Sequence, residues 1–207
     1  FLLFILTAIN YLDRTNMAVA APSMSSDLGF DAATMGLLFS AFAWSYGLMQ
    51  IPGGWLLERF GSRVSYTVSL FLWSAFTVAM GFGKSFASLF GIRLAIGAAE
   101  APAFPTNSRV VAAWFPDKER ATATSIYTAG EFIGLAFLTP VLFWVLENYG
   151  WQEIFYLTGG IGIIACLGWH YLYRDPAECT DVNQGELDYI REGGGLAEKA
   201  GATHSIT

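Results

Sequence analysis

Five ionisable side chains lie deep within stretches of sequence that are otherwise hydrocarbon: Asp13, Arg14, Arg93, Glu100 and Glu131. Charge at such depth is costly and usually faces a partner or a water-filled cavity. The spacing groups these residues. Asn10, Asp13, Arg14 and Met17 recur at i, i+3, i+4 and i+7, a polar stripe on one helix face. Arg93 and Glu100 are seven residues apart and share a face, and Tyr127 stands one turn before Glu131. Arginine is permanently charged, and its planar fork matches a carboxylate, so Arg14 and Arg93 are candidate anchors for an organic anion. Desolvation favours the neutral form of an acid, whereas a nearby guanidinium favours the carboxylate. Protonation of Asp13, Glu100 and Glu131 would then depend on where the arginines point, which is what coupling to protons requires. The competing reading is a set of ion pairs that locks helices together. Tyr11, Trp44, Tyr46, Gln50 and Tyr127 could bond or stack on a polyhydroxylated substrate, or could be ordinary packing.

The elements that must position these groups are long apolar runs. The 207 residues are 54% hydrophobic and 14% charged, where a soluble domain carries about a quarter charged residues. A membrane helix needs about 20 mostly apolar residues. Residues 1–21, 33–57, 64–82, 86–114, 121–147 and 151–173 meet that need. The expected fold is therefore an all-α membrane protein of six transmembrane helices. Short connections such as "PSMSSDLGFD", "ERFGSR" and "FPDKER" separate the runs, and Pro52, Pro102, Pro105 and Pro140 are expected to bend spans two, four and five.

Residues 1–174 read as the transmembrane bundle and residues 175–207 as a polar, acidic interdomain linker with one short helix around "ELDYIRE". Arg59, Arg63, Lys118, Arg120 and Arg174 sit in alternate connections, so both ends are expected in the cytoplasm. The chain opens on Phe1 inside an apolar run and reads as a fragment. The net charge of -6 comes with no basic run, which argues against nucleic acid. Cys166 and Cys179 form no CxxC motif, and no HExxH or GxSxG sequence supports a membrane-embedded enzyme. No cofactor is expected beyond protons as the coupling ion. Asn107 and Arg109 suit a gate or a helix cap.

The segment "GGWLLERFGSRVS" resembles the loop signature of the major facilitator superfamily, with Gly54, Glu58, Arg59, Gly61 and Arg63 in place. Glu58 stands where Asp is usual and Ser62 replaces a basic residue. "YLDRTN", "FSAFAWSYGLMQIPGGW" and "EAPAFPTNSRVVAAWFPDKERATA" are similar to the anion:cation symporters within it, and "GEFIGLAFLTP", "TGGIGII" and "ELDYIREGGGL" to the galactonate branch of bacterial sugar-acid carriers. The resemblance implies the N-terminal half of a twelve-helix transporter, built as two inverted three-helix repeats and lacking its C-terminal six-helix half. It implies proton-coupled symport of a galactonate-like aldonate across a bacterial inner membrane by alternating access. Another organic anion, such as a hexuronate, glucarate or phthalate, is the alternative. By this resemblance Asp13 and Glu100 take part in proton coupling, Arg93 links them to the substrate site, and Arg14 and Tyr46 belong to that site. Tyr11, Trp44 and Glu131 are added as substrate contacts. Glu58, Arg59 and Arg63 would form cytoplasmic ion pairs that stabilise the outward-open state. Glu131 departs from the usual Gln, and a carboxylate there repels an anion unless protonated or neutralised by arginine.

Overall fold

The computed structural model describes residues 1–180 and 182–196. Asp181 and the last part of the expected linker, residues 197–207, lie outside the described residues. Among the described residues the regular structure is helical: α1 (Leu2–Leu28), α2 (Ala32–Met80), α3 (Phe86–Glu100), α4 (Ala103–Trp114), α5 (Asp117–Tyr149), α6 (Trp151–Leu172) and a short α7 (Gln184–Glu192).

Three expectations about boundaries need correction. The first helix continues through Pro22 to Leu28, so most of the expected loop "PSMSSDLGFD" is helical. Gly29 at φ 67° then ends the helix in the left-handed conformation, which glycine adopts without a Cβ clash. Spans two and three are joined not by a loop but at a single residue, Gly61, whose φ of 75° and ψ of 171° break α2. Only glycine enters that region readily. Span four is divided at Ala101–Pro102, where Pro102 and Pro105 each withdraw a backbone donor. Glu100 is the last residue of α3, so the acid sits at that break. Pro52 and Pro140, in contrast, are accommodated inside α2 and α5.

By length and hydropathy, Ala32–Met80, Phe86–Trp114, Asp117–Tyr149 and Trp151–Leu172 qualify as membrane spans. The first of these holds two spans, either side of Gly61, while the polar stripe of α1 lowers its apolarity. The chain is a multi-pass membrane protein.

Close backbone approach sets the packing, as expected where helices associate in lipid without a hydrophobic drive. A Cβ on Gly130 would strike the Phe4 carbonyl, and one on Gly134 would meet Ala8, so α5 lies directly on α1. A Cβ on Gly97 would strike Ser45 and the Phe42 carbonyl, so α3 lies directly on the first arm of α2. The second arm of α2 runs along α6, where Trp169 Nε1 donates to the Arg63 carbonyl and Cys166 to that of Thr67. Span one pairs with five, two with four and three with six. Exchanging the two sets of three spans maps this pattern onto itself, as two repeats require. Trp73, Trp151, Trp169, Tyr66, Met17 and Leu38 are among the largest fully buried side chains.

The polar segment after α6 is ordered against the α4–α5 turn. Asp117 N–H donates to the Gly193 carbonyl at 2.8 Å and Leu196 N–H to that of Ala112 at 2.9 Å, and Ile190 is buried.

Candidate functional site

Arg14 projects from the middle of α1 towards the break after α3. Its Nε donates to Glu100 Oε1 at 2.6 Å, and Nη2 stands 2.6 Å from the same oxygen as an ionic contact. Glu100 is 1% exposed and Arg14 27%, so the acid is enclosed while the base reaches open space. Four rings surround the guanidinium: Tyr46 at 4.7 Å, Tyr11 and Phe42 at 5.3 Å, and Phe104 at 5.9 Å. These rings come from α1, α2 and α4 and form a cup in which cation–π attraction is strengthened by desolvation. Arginine carries five N–H donors, and only part of the fork is committed to Glu100. The cup can therefore present further donors to an incoming carboxylate.

Asp13 is adjacent in sequence yet belongs to a different contact. Successive helical residues point about 100° apart. Asp13 Oδ2 accepts from Trp73 Nε1 at 3.1 Å and Oδ1 from Asn16 Nδ2 at 3.3 Å. Asn16 also donates to Thr158 Oγ1 at 2.6 Å. The acid is thus fixed between α1, the second arm of α2 and α6. No ion pair joins Asp13 to an arginine among the described residues.

Arg93 is buried and unpaired by any carboxylate among the described residues. Its Nε donates to the Leu38 carbonyl at 3.3 Å, and its guanidinium lies 4.9 Å from the Phe42 ring. Both Arg14 and Arg93 therefore lie against the Phe42 ring. Glu131 is half-buried on α5 and neighbours the Tyr11 hydroxyl. The structure thus brings Tyr11, Arg14, Tyr46, Arg93, Glu100 and Glu131 to one side of the bundle, with Asp13 one helix face away.

Trp44 is not brought to this cup. It is 53% exposed and packs edgewise on Phe90, while its neighbours Phe42 and Tyr46 stack on each other at 5.6 Å. Of the loop residues, Arg63 grips the His170 carbonyl through Nε at 3.0 Å and Nη2 at 2.7 Å, tying the Gly61 break to the end of α6. Arg59 lies over Trp55 and Phe60. Glu58 is exposed and pairs with neither arginine among the described residues. Arg109 donates to the Leu57 carbonyl at 3.2 Å, a capping contact on the first arm of α2.

Sequence reasoning missed Phe42, Phe104, Trp73 and Thr158. Phe42 was within reach, because it precedes Tyr46 by one turn and so shares its face. Trp73 and Thr158 join the site only through the pairing of spans three and six with span one, which no local pattern carries.

With this geometry in hand, the comparisons decide the family. The sequence matches the Major Facilitator Superfamily over residues 3–198. The chain belongs to that superfamily. It is 51% identical over 197 residues to a D-galactonate transporter of Escherichia coli O6:H1, covering 95% of this chain and 46% of the relative. It is 44% identical over 201 residues to a probable galactarate/D-glucarate transporter of Escherichia coli K12, covering 94% and 45%. Among solved structures it is similar to an inward-facing, unoccupied bacterial homolog of the human lysosomal transporter Spinster, with TM-score 0.73 and 26% identity over 84% of this chain and 42% of that one. The chain spans about half the length of the curated relatives it matches. Superfamily membership and these transporter-named relatives point away from an enzyme. In such folds the substrate lies between two six-helix halves.

Proposed function

We propose that this bundle is the N-terminal half of a proton-coupled sugar-acid symporter of the bacterial inner membrane, with both ends of the bundle in the cytoplasm and residues 175–207 leading to a second half. The observation that carries the reading is Arg14, a cation in an aromatic cup whose one anionic partner among the described residues is Glu100. A substrate carboxylate competes with Glu100 for the Arg14 fork. The hydroxyls of a polyhydroxy acid meet Tyr11, Tyr46 and Glu131 around the rim. Release of Glu100 from Arg14 leaves a buried carboxylate without its counter-ion, and taking up a proton relieves that cost. Asp13, held by Trp73 and Asn16 in the same interior, is the second coupling acid, and Arg93 links the acids to the substrate site. Rocking of the halves about this site then exchanges its access, and the membrane potential adds about 2.3 kcal/mol per charge per 100 mV. Glu58, Arg59 and Arg63 act at the cytoplasmic turn between spans two and three, with Glu58 exposed and open to a partner from the second half.

The similarity to D-galactonate and galactarate/D-glucarate transporters supports a sugar-acid substrate. A galactonate-like aldonate is favoured over a dicarboxylate because Glu131 adds negative charge beside Tyr11, at the rim of the same cup. Competition against labelled D-galactonate uptake by the full-length protein in proteoliposomes tests this. Aldonates should compete better than glucarate, and glucarate should gain on Glu131→Gln. Equal competition by both in the wild type would reject the assignment.

A further inference from the structure

Several fully buried polar atoms near the site have no hydrogen-bond partner in the protein. They are Glu100 Oε2, both amide atoms of Asn10, Tyr66 Oη, Thr7 Oγ1 and Asn107 Oδ1. Each residue is 3% exposed or less. Buried polar atoms are almost always satisfied, and internal water is the usual means where several converge.

Asn10 lies one turn before Arg14, which holds Glu100. Tyr66 lies one turn before Ser69, whose Oγ donates at 2.6 Å to the carbonyl of Ala99, next to Glu100 in the chain. Tyr127 forms part of the wall of a cavity of about 660 Å3, which Trp169, Lys118 and Arg174 also line. Lys118 and Arg174 belong to the turns that the charge pattern assigns to the cytoplasm. Tyr66 thus lies on the stretch of α2 that meets the end of α3 and packs on Trp169 in the wall of a cavity that reaches the bundle end. Its ring is held by packing, 4.8 Å from Trp169 and 6.0 Å from Trp73, and not by its hydroxyl. A residue fixed by its ring beside the cavity wall, with a buried hydroxyl left unbonded, is suited to passing protons.

We infer that Tyr66 relays protons, through internal water, between Glu100 and the cavity beside Tyr127, giving the proton an exit within this bundle that is separate from the substrate route. This rests on the proton-coupled reading above. In the step, the Glu100 O–H breaks and its proton passes by way of Asn10-bound water to the Tyr66 oxygen. The Tyr66 O–H proton leaves at the same time to water on the Tyr127 side. One proton moves, the phenol is restored, and nothing is oxidised or reduced. The charged and titratable groups that face the relay are Arg14 and Asp13 from α1, Arg93 from α3 and Tyr127 from α5.

The test uses the full-length protein in proteoliposomes, with labelled D-galactonate as the probe. Tyr66→Phe keeps the ring between Trp73 and Trp169 and removes only the hydroxyl. Uptake driven by an imposed pH gradient should fall about 10-fold or more, the scale of one lost proton-transfer group, while substrate counterflow, which needs no net proton movement, should be unchanged. Wild-type rates in both assays, or an equal fall in both, would overturn the relay while leaving proton coupling standing. Wild-type uptake that ignores the pH gradient would overturn the coupling itself, and the relay with it.

Discussion

Arg14 holds one oxygen of Glu100, through Nε and Nη2 both at 2.6 Å, and leaves the other oxygen without a protein partner. The pair is asymmetric in burial as well as in bonding. An enclosed acid and a half-open base mean that an external anion can reach the base but not the acid. Breaking such a pair costs several kcal/mol unless the stranded charge is neutralised. Anion binding at Arg14 and protonation of Glu100 therefore favour each other.

Arg14→Lys keeps the charge and discards the planar fork. Hydrogen bonds to charged groups contribute about 1.5–3 kcal/mol, so Kd for D-galactonate should rise roughly 10- to 100-fold. Titration calorimetry on the full-length protein measures it, and an unchanged Kd would show that the fork is not used.

Glu100→Gln removes the proton site and the competitor for Arg14 together. Counterflow of D-galactonate should persist while acceleration by an inward pH gradient disappears. Retained acceleration would move the coupling proton to another acid.

The bundle's assembly rests on backbone contact at glycine. Gly97→Leu drives a side chain into Ser45 and the Phe42 carbonyl, and Gly130→Leu drives one into the Phe4 carbonyl. Overpacking of this kind costs about 1–3 kcal/mol or more. The melting temperature in detergent should fall by several degrees for either change, whereas Gly47→Leu, with open space around it, should leave it unchanged.

The segment after α6 is held to the α4–α5 turn partly by exposed groups. Tyr189 donates to Glu119 Oε1 at 2.6 Å, and this bond to a carboxylate raises the phenol above its ordinary value of 10.0. A raised acid pKa means the contribution is complete below that ordinary value and is lost only as pH climbs through the raised one. The contact is therefore intact at neutral pH. Tyr189→Phe should speed amide exchange across residues 184–196 at pH 7, and an unchanged exchange pattern would assign the docking to Ile190, the backbone bonds at Asp117 and Leu196, and the Arg120 bond to the Gly194 carbonyl.

Much of this was legible from residue types. Hydropathy set the spans because in lipid each backbone group must bond within its own helix. The spacing of Asp13, Arg14, Arg93 and Glu100 placed charge on spans one and four, since helical periodicity is local. What was not legible depended on which helix meets which. That Arg14 takes Glu100, that Asp13 goes instead to Trp73, and that Phe42 touches two arginines all depend on helix pairings, of which close approach at Gly97 and Gly130 fixes two. The single-residue break at Gly61 was hidden for a related reason. A loop and a glycine kink share one composition, and only φ of 75° separates them. Trp44 shows the opposite error, because an aromatic two residues from both Phe42 and Tyr46 falls on the far side of the helix.

The most direct test is binding of D-galactonate to the full-length protein, measured by calorimetry in two buffers of different ionisation enthalpy. The account predicts net proton uptake on binding in the wild type, no uptake in Glu100→Gln, and no measurable binding in Arg14→Ala. Wild-type affinity in Arg14→Ala, or binding without proton uptake in the wild type, would contradict it.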